Sequence, residues 1–382
     1  MRLPTVLTAL AASFTSMAAP APTEGTSVPS QQTADEIAGP AELNRAALSE
    51  RIAQILKDAG VAGAHVAVTM GPDTVYSRAF GTNPSTGEAF TDETIVRLAS
   101  ASKLVTALTV AAMVEQGALS LDETLGDLDP DLPEVWRDLP VWRVLNHTSG
   151  LPMIVTRPEF GAMEDDRLSR FSIDDLRAII GEQALDFEPG EQWRYQQSGY
   201  ALLAHSLAKR AGTTWPQLVE QSLLQPAALK TTGVSNEAKV FQDQDGETVP
   251  HISNYPAFFA PAGGFQSTGK DTRQLLLALA QGRVLNEDSV RRLVNDTRRL
   301  EQLRGDADGE GYGMGVAVQR FGDIAFFGHS GGGGLVDIRY APERQMGIAV
   351  VTNQAGGTGA AIEIGNLIAS KLAGEPHFAA ET

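Results

Sequence analysis

The sequence predicts a mixed α/β protein, in which an antiparallel β-sheet flanked by helices carries an inserted all-helical domain. Alternating apolar residues, typical of strands, occur near the N-terminus at 61–80 and again near the C-terminus at 315–352. The stretch between them, 103–210, has mostly helical spacing with loops rich in Gly, Pro and Asp. We therefore expect the two strand regions to share one sheet, with the helical stretch inserted between them.

The composition argues against several classes of function. The 382 residues are 42% hydrophobic, which is enough for a large core and one or two domains. There is no cysteine, so disulfides, cysteine-ligated metals and thiol catalysis are excluded, and six histidines without an H-E-x-x-H pattern argue against a zinc hydrolase. A net charge of −17 repels nucleic-acid phosphates and anionic lipid. We expect no metal, no cofactor and no nucleic-acid partner.

The first 40 residues predict export. Residues 1–18 have the form of a secretory signal peptide: Arg2 is the only charge, an apolar stretch follows, and Ser16 and Ala18 place small residues before a cleavage site. Residues 19–40 are rich in Pro, Ser, Thr and Gln, which is typical of a flexible linker. No later run approaches the ~18 apolar residues of a transmembrane helix. We expect a periplasmic or secreted protein without a membrane anchor.

After the linker, the pattern predicts a helix and a hairpin. Residues 42–59 carry apolar side chains on one helical face and end at Gly60. Strands are expected at 61–70 and 74–80, joined by the Gly-Pro-Asp turn at 71–73. These elements place the N-terminal part of the chain on an antiparallel sheet.

The remaining elements follow from the same periodicities. Helices are predicted at 103–116, 173–180 and 200–211, with a loop at 122–140 where prolines and acidic residues interrupt the pattern. A β-meander is predicted at 315–320, 323–328, 335–341 and 346–352, and a closing helix at 360–372. We place the sheet domain at 41–99 and 225–382, and the helical domain at 100–224.

The first candidate for a reactive site is the start of the helix predicted at 103–116. Ser100 lies at that start, and Lys103 follows one turn later. Residues three apart on a helix share a face, with Cβ atoms about 5–6 Å apart, so a lysine can reach the serine hydroxyl. Backbone N–H groups at a helix start have no intrahelical acceptor and can donate to a developing oxyanion. The pattern predicts a nucleophile with a base beside it.

The S-x-x-K pattern occurs twice more in the chain. Ser206 and Ser267 also precede a lysine by three residues. Ser206 falls within a continuous helical pattern and has no free N–H groups near it, and Ser267 precedes a helix expected to begin at Asp271, where a capping role is natural. Of the three, only Ser100 has a strand before it and a long helix after it.

A second candidate segment, 187–200, runs from a Pro-Gly turn through a polar and aromatic stretch into a helix. Tyr195 lies just before that helix. A phenol beside a lysine ammonium can have its pKa lowered, which would allow it to shuttle protons. A purely packing role for this tyrosine is the alternative.

The third candidate is the glycine-rich stretch 328–332. It also fits G-x-S-x-G, the nucleophile elbow of α/β-hydrolases, with Ser330 as the nucleophile. An elbow requires a helix after the turn, whereas 335–340 alternates as a strand, and the one histidine farther along, His377, lies in a polar tail. The elbow is therefore the less favoured interpretation.

Taken in order, these stretches resemble the class C β-lactamase and penicillin-binding-protein family. The resemblance rests on Ser100-x-x-Lys103, 187–195 and 329–331, and on further stretches at 145–152, 261–268 and 311–315. Together they span roughly residues 42–372. The resemblance implies that Ser100 is the nucleophile, Lys103 and Tyr195 are the proton-transfer pair, and the N–H groups of Ser100 and Gly332 form the oxyanion hole.

The resemblance also implies a fold and a reaction. In this family an antiparallel sheet flanked by helices joins an all-helical domain, with the site in the cleft between them. Since the family includes esterases, D-aminopeptidases and D-alanyl-D-alanine carboxypeptidases, we expect a serine hydrolase that forms an acyl-enzyme from a small-molecule ester, an amide or a D-amino-acid peptide. The alternative is a non-catalytic protein that captures a cell-wall peptide. The oligomeric state is left open.

Two positions depart from the family's pattern. The family's Tyr-x-Asn is Tyr195-x-Gln197 here, which keeps the amide but adds a methylene. The Lys-Thr-Gly of β-lactamases is replaced by 329–331, and a histidine with an ordinary pKa of about 6.5 is mostly neutral at pH 7.5. Weaker binding of carboxylate-bearing substrates is expected. The residues expected to bind substrate are Gln197, His329, Ser330, Gly331 and Gly332.

Overall fold

The computed structural model describes three long stretches of the chain. These are residues 43–153, 184–295 and 311–374, with gaps at 85, 236, 245–246, 252–256, 333 and 356–358, and residues 172, 174 and 175 are described in addition. The expected signal peptide, the linker and most of the helix predicted at 173–180 lie outside the described residues. None of the helices in the described ranges is long and apolar enough to cross a membrane.

Both ends of the described chain contribute to one seven-stranded antiparallel sheet. Its strands are β1 (Gly63–Met70), β2 (Asp73–Gly81), β8 (Gly311–Tyr312), β9 (Ala317–Phe321), β10 (Ile324–Gly331), β11 (Val336–Ala341) and β12 (Met346–Thr352). The order across the sheet is β2-β1-β12-β11-β10-β9-β8. The N-terminal hairpin joins the meander through β1 and β12, where Val66 pairs with Val350. The predicted sharing of one sheet is confirmed.

One face of this sheet is covered by the helices nearest to the two ends, α1 (Arg45–Asp58) and α11 (Ala360–Leu372). Ile52 and Ile364 are fully buried there, in one cluster with Val66 and Ile348. These side chains come from alternate strand positions and from one face of each helix, as the apolar periodicities require. The sheet is thereby closed on the side away from Ser100.

The other face packs against the helix Gly269–Ala280, where Gly347 of β12 lies against Leu276, and β10 contacts the start of the helix that follows Ser100. The helices from the middle of the chain are α2 (Ser102–Glu115), α3 (Leu125–Leu128), α4 (Glu134–Arg137), α5 (Val141–Leu145), α6 (Ser198–Arg210), α7 (Trp215–Val219) and α8 (Gln225–Ala227). The loop predicted at 122–140 is therefore wrong in part, since it contains α3 and α4. Thr124 starts α3 through a capping box with Asp127, a local signal that outweighs the neighbouring prolines.

Two three-stranded sheets, two further α-helices and the short helical turns Glu220–Leu224, Ala257–Phe259 and Ala260–Gly264 make up the rest of the regular structure in the described residues. The strands are β3 (Val96–Arg97), β4 (Gly233–Val234), β5 (Val240–Gln244), β6 (Glu247–His251), β7 (Phe265–Ser267) and β13 (Gln354–Ala355), and the helices are α9 (Gly269–Ala280) and α10 (Glu287–Asn295). β7 lies between β3 and β4. A single buried apolar cluster runs from the inner sheet face into the middle helices. The proposed domain boundaries stay a prediction.

The capping role expected of Ser267 is wrong. Thr268 caps α9 by accepting a hydrogen bond from the backbone N–H of Asp271 at 3.1 Å. Ser267 ends β7 instead, and its hydroxyl lies 2.8 Å from that of Thr232. The mid-helix position expected for Ser206 is confirmed, since its hydroxyl donates to the carbonyl oxygen of Leu202 within α6.

Candidate active site

Ser100 occupies a tight turn between β3 and α2. The turn is a 3-10 helix, Ala99–Ala101, and Ala99 has a φ of +46°, a backbone conformation that residues other than glycine rarely adopt. The Ser100 side chain is half-buried, and its hydroxyl forms no hydrogen bond with another described residue. The turn therefore presents an uncommitted hydroxyl at the start of a long buried helix.

Lys103 lies one turn after Ser100 and is fully buried. Its ammonium donates to the carbonyl oxygen of Ala262 at 2.8 Å and lies 4.6 Å from the centroid of the Tyr195 ring. No carboxylate of the described residues forms an ion pair with it. Because burial disfavours the charged form, the pKa of Lys103 is well below its ordinary value. The structure thus brings Lys103 and Tyr195 together, but it does not form the expected hydrogen bond from Lys103 to Ser100.

Strand β10 ends directly against the Ser100 turn. A Cβ atom on Gly331 would lie 2.0 Å from the carbonyl oxygen of Leu98 and 3.2 Å from the backbone nitrogen of Ala101, so only glycine permits this approach. Gly332 follows with a φ of +59°, and a Cβ built there would lie 3.5 Å from that of Ala99. The end of the strand and the start of the helix are in contact.

The two segments in contact each carry a free backbone donor. Within the described part of the chain, neither the N–H of Ser100 nor that of Gly332 donates to an acceptor. Both residues are half-buried. Both N–H groups are thus available to donate to a hydrogen-bond acceptor from outside the described residues.

His329 is buried rather than exposed to substrate. It is 3% exposed, with Nε2 lying 3.0 Å from the hydroxyl of Tyr312 and Nδ1 lying 2.5 Å from the carbonyl oxygen of Ser330. Since a carbonyl oxygen only accepts, Nδ1 carries the proton, and in the neutral ring Nε2 accepts from Tyr312. Burial and the nearby Lys103 charge lower the pKa of His329 to about 3. The ordinary pKa expected from the sequence is wrong.

Gln197 and Ser330 occupy the remaining predicted positions. Gln197 lies immediately before α6 without capping it, and it is 4% exposed. Its Oε1 is buried and finds no hydrogen-bond donor among the described residues. Ser330 lies in β10, which pairs with β11 as an antiparallel hairpin. A strand thus follows the glycine-rich turn, which excludes the nucleophile elbow.

Sequence reasoning missed an aromatic cluster that encloses the Lys103–Tyr195 pair. The ring of His147 lies 4.6 Å from that of Tyr195, 5.2 Å from that of Tyr200 and 4.8 Å from that of Tyr312, measured between centroids. The Tyr200 hydroxyl donates to the carbonyl oxygen of Leu145 at 2.6 Å. The stretches 145–152 and 311–315 were part of the family resemblance, but nothing in their composition assigned them a place beside the lysine.

Comparison with known proteins agrees with this geometry. The family model Beta-lactamase matches residues 48–373. Penicillin-binding protein 4 of Amycolatopsis lactamdurans is 26% identical over 85% of this chain and 89% of its own length, and Esterase EstB of Burkholderia gladioli is 26% identical over 79% and 88%. The octameric penicillin-binding protein homologue from Pyrococcus abyssi has the same fold, with a TM-score of 0.72 at 23% identity over 87% of this chain and 80% of that one.

The family match covers both ends of the large sheet and the helical region between them. It includes the Ser100 turn, the Tyr195 segment and the end of β10. The chain therefore belongs to the beta-lactamase family of serine hydrolases, which act through an acyl-enzyme.

Proposed function

We propose that Ser100 is the nucleophile of this serine hydrolase, that Lys103 and Tyr195 move its proton, and that the N–H groups of Ser100 and Gly332 stabilise the oxyanion. The observation that carries the proposal is the fully buried Lys103, one helical turn from Ser100 and 4.6 Å from the ring centroid of Tyr195. A lysine without a carboxylate partner and with a lowered pKa can act as a base near neutral pH.

The proposed reaction has two balanced steps. In the first, Ser100 Oγ bonds to the substrate carbonyl carbon while its proton passes to the Lys103–Tyr195 pair, and the oxyanion accepts from the two free N–H groups. The tetrahedral intermediate collapses by breaking the bond to the alcohol or amine, which leaves with that proton. In the second, water attacks the acyl-enzyme by the same route, and Ser100 regains its proton.

The proposed substrates are small-molecule esters, amides or D-amino-acid peptides whose recognition does not depend on a cation at position 329. His329 is neutral and buried, so it supplies no positive charge to a substrate carboxylate. The Oε1 of Gln197, which has no donor among the described residues, supports a contact to a substrate N–H, since it is an acceptor two residues after Tyr195. The relative named an esterase supports ester hydrolysis.

Covalent labelling tests the nucleophile. After reaction with a fluorophosphonate, intact-mass analysis should show one adduct on the wild type and none on Ser100→Ala. Ser206→Ala, Ser267→Ala and Ser330→Ala are matched controls and should keep the adduct, since the first two hydroxyls are committed to Leu202 and Thr232. Loss of the adduct in Ser330→Ala alone would overturn the assignment.

Turnover separates hydrolysis from capture. A fluorescent penicillin or a p-nitrophenyl ester should acylate Ser100 and then be released, which gives an initial burst followed by a steady rate. Retention of the acyl group without a steady rate would instead indicate a protein that captures a cell-wall peptide. A panel of p-nitrophenyl esters, D-amino-acid anilides and nitrocefin would rank the substrate classes.

We further propose that the protein acts in the periplasm or outside the cell. The proposal rests on the signal-peptide pattern of residues 1–18. N-terminal sequencing of protein purified from fractionated native cells should find a first residue near Ala19. An intact Met1 in the cytoplasmic fraction would overturn this proposal.

A further inference from the structure

His147 lies in the stretch 145–152, to which the proposed reaction assigns no role. It follows α5 and is 1% exposed. Its carbonyl oxygen accepts from the backbone N–H of Arg194 at 3.0 Å, and its Nδ1 accepts from the backbone N–H of Gln196 at 3.3 Å. One residue therefore binds the chain on both sides of Tyr195.

The two hydrogen bonds determine which tautomer the His147 ring adopts. An imidazole nitrogen that accepts a hydrogen bond carries no proton, so the neutral ring has its proton on Nε2. Burial agrees with a neutral ring, because it lowers the pKa of His147 well below the ordinary value, and the Lys103 charge adds to the effect. The Nε2 atom is buried and has no hydrogen-bond partner in the described structure. The ring's one polar contact is therefore to the Tyr195 segment.

The backbone of His147 is also unusual. Its φ is +64°, in the left-handed region, which costs a residue other than glycine or asparagine roughly 1–2 kcal/mol. In this conformation the carbonyl oxygen and Nδ1 of the same residue both reach the 194–196 segment. A strained conformation persists where the surrounding contacts require it, often at a functional site.

We propose that His147 is a positioning residue, which holds Tyr195 over Lys103 by hydrogen bonding to the backbone on both sides of it. This inference rests on the proposed function, in which the Tyr195 hydroxyl takes part in proton transfer. The ring of His147 lies 4.6 Å from that of Tyr195, so it also limits the movement of the phenol towards His147. His147 does not itself touch the reacting atoms, and its effect is transmitted through Tyr195.

The test compares two substitutions that both tolerate the left-handed backbone. His147→Gly removes the Nδ1 acceptor. His147→Asn replaces it with an amide oxygen that is the same number of bonds from the backbone as Nδ1. We expect His147→Gly to lower kcat on a p-nitrophenyl ester by roughly 10-fold to 100-fold with little change in KM, because the phenol is displaced from a transition-state contact. His147→Asn should return kcat to within about 3-fold of the wild type, since it keeps the hydrogen bond.

A double-mutant cycle separates positioning from general stability. In a Tyr195→Phe background, where no phenolic proton remains, His147→Gly should change kcat by less than about 2-fold. His65→Asn is the control, because His65 is equally buried but lies in β1 against Ser77. It should leave kcat unchanged. Full additivity of the two changes, or failure of His147→Asn to restore kcat, would overturn the proposal.

Amide hydrogen exchange tests the hydrogen bond from Gln196 to His147 independently of activity. The amide of Gln196 should exchange slowly in the wild type and in His147→Asn, and rapidly in His147→Gly. If exchange changes as expected but Tyr195→Phe is fully active, the proposed proton transfer fails while the backbone contact stands. If exchange in His147→Gly is unchanged, the positioning role itself is wrong.

Discussion

Gly331 lies so close to Leu98 that a Cβ on the glycine would be 2.0 Å from the leucine carbonyl oxygen. The two residues belong to different regions, the end of β10 and the segment before the Ser100 turn. Their contact places Gly332 beside Ala99, the residue before Ser100. The proposed oxyanion hole therefore depends on the absence of a side chain at position 331.

Gly331→Ala should lower both activity and stability. The methyl group forces β10 away from the Ser100 turn, and overpacking of this kind costs about 1–3 kcal/mol. Loss of one oxyanion donor lowers kcat by roughly 10²-fold to 10³-fold. Steady-state kinetics and thermal melting measure the two effects. Gly233→Ala is the control, since a Cβ there meets no atom within 4 Å, and it should match the wild type. Wild-type kcat in Gly331→Ala would contradict the prediction.

Lys103→Met should greatly slow acylation while preserving the fold. Methionine has a similar length without charge, so it fills the buried space, and removal of a general base costs roughly 10²-fold to 10⁴-fold in rate. In the wild type, the acylation rate should rise with pH and level off below the ordinary pKa of lysine, because the buried amine loses its proton at a lower pH than an exposed lysine does. Stopped-flow labelling at several pH values measures the acylation rate of the variant and the pH profile of the wild type. Lys270→Met, at an exposed lysine paired with Glu93, is the control.

Matched acidic and neutral esters should give parallel profiles of kcat/KM against pH between 5 and 8. His329 has a pKa of about 3, so its charge does not change in this range and cannot favour the acidic substrate. His329→Lys should reduce turnover of both esters alike, since it places an ammonium against the Tyr312 hydroxyl and near Lys103. If kcat/KM declined around pH 6.5 with the acidic ester alone, His329 would bind the substrate carboxylate, as expected from the sequence.

Stability should decrease as the pH falls from about 6.5 to 4. Burial lowers the pKa of His329 to about 3, that of His65 to about 4 and that of His147 well below its ordinary value, so in this window the unfolded chain binds protons that the folded one does not. Each ring contributes a fall of about 1.4 kcal/mol per pH unit. Asp337, whose pKa burial raises to about 6, acts in the opposite direction between about pH 4 and 6.

Urea unfolding of two variants tests the direction in which each group changes stability with pH. His65→Gln should lose less stability than the wild type between pH 7 and 4.5, because one of the three buried rings with a lowered pKa is removed. Asp337→Asn should lose more, because the offsetting carboxyl is gone. If stability depended on pH in the same way in all three proteins, these buried groups would not be the cause of the loss of stability at low pH.

Local patterns in the sequence predicted most of the fold. The hairpin, the four meander strands and the closing helix each depend on short-range apolar periodicity, and the predicted 360–372 helix matches α11. The loop at 122–140 and the cap at Ser267 were wrong where a neighbouring threonine formed the better local hydrogen bonds. Spacing alone also distinguished Ser206, within a helix, from Ser100, at a helix start.

The sequence by itself determined the two residues proposed to carry the chemistry, because Ser100 and Lys103 are three positions apart in the chain whatever surrounds them. Only the tertiary structure decided the state of those residues. Lys103 donates to a carbonyl 159 positions later, and His329 is neutral because Tyr312 and the core exclude water from it. Burial and hydrogen bonds between distant segments set these pKa values, and no local pattern encodes them.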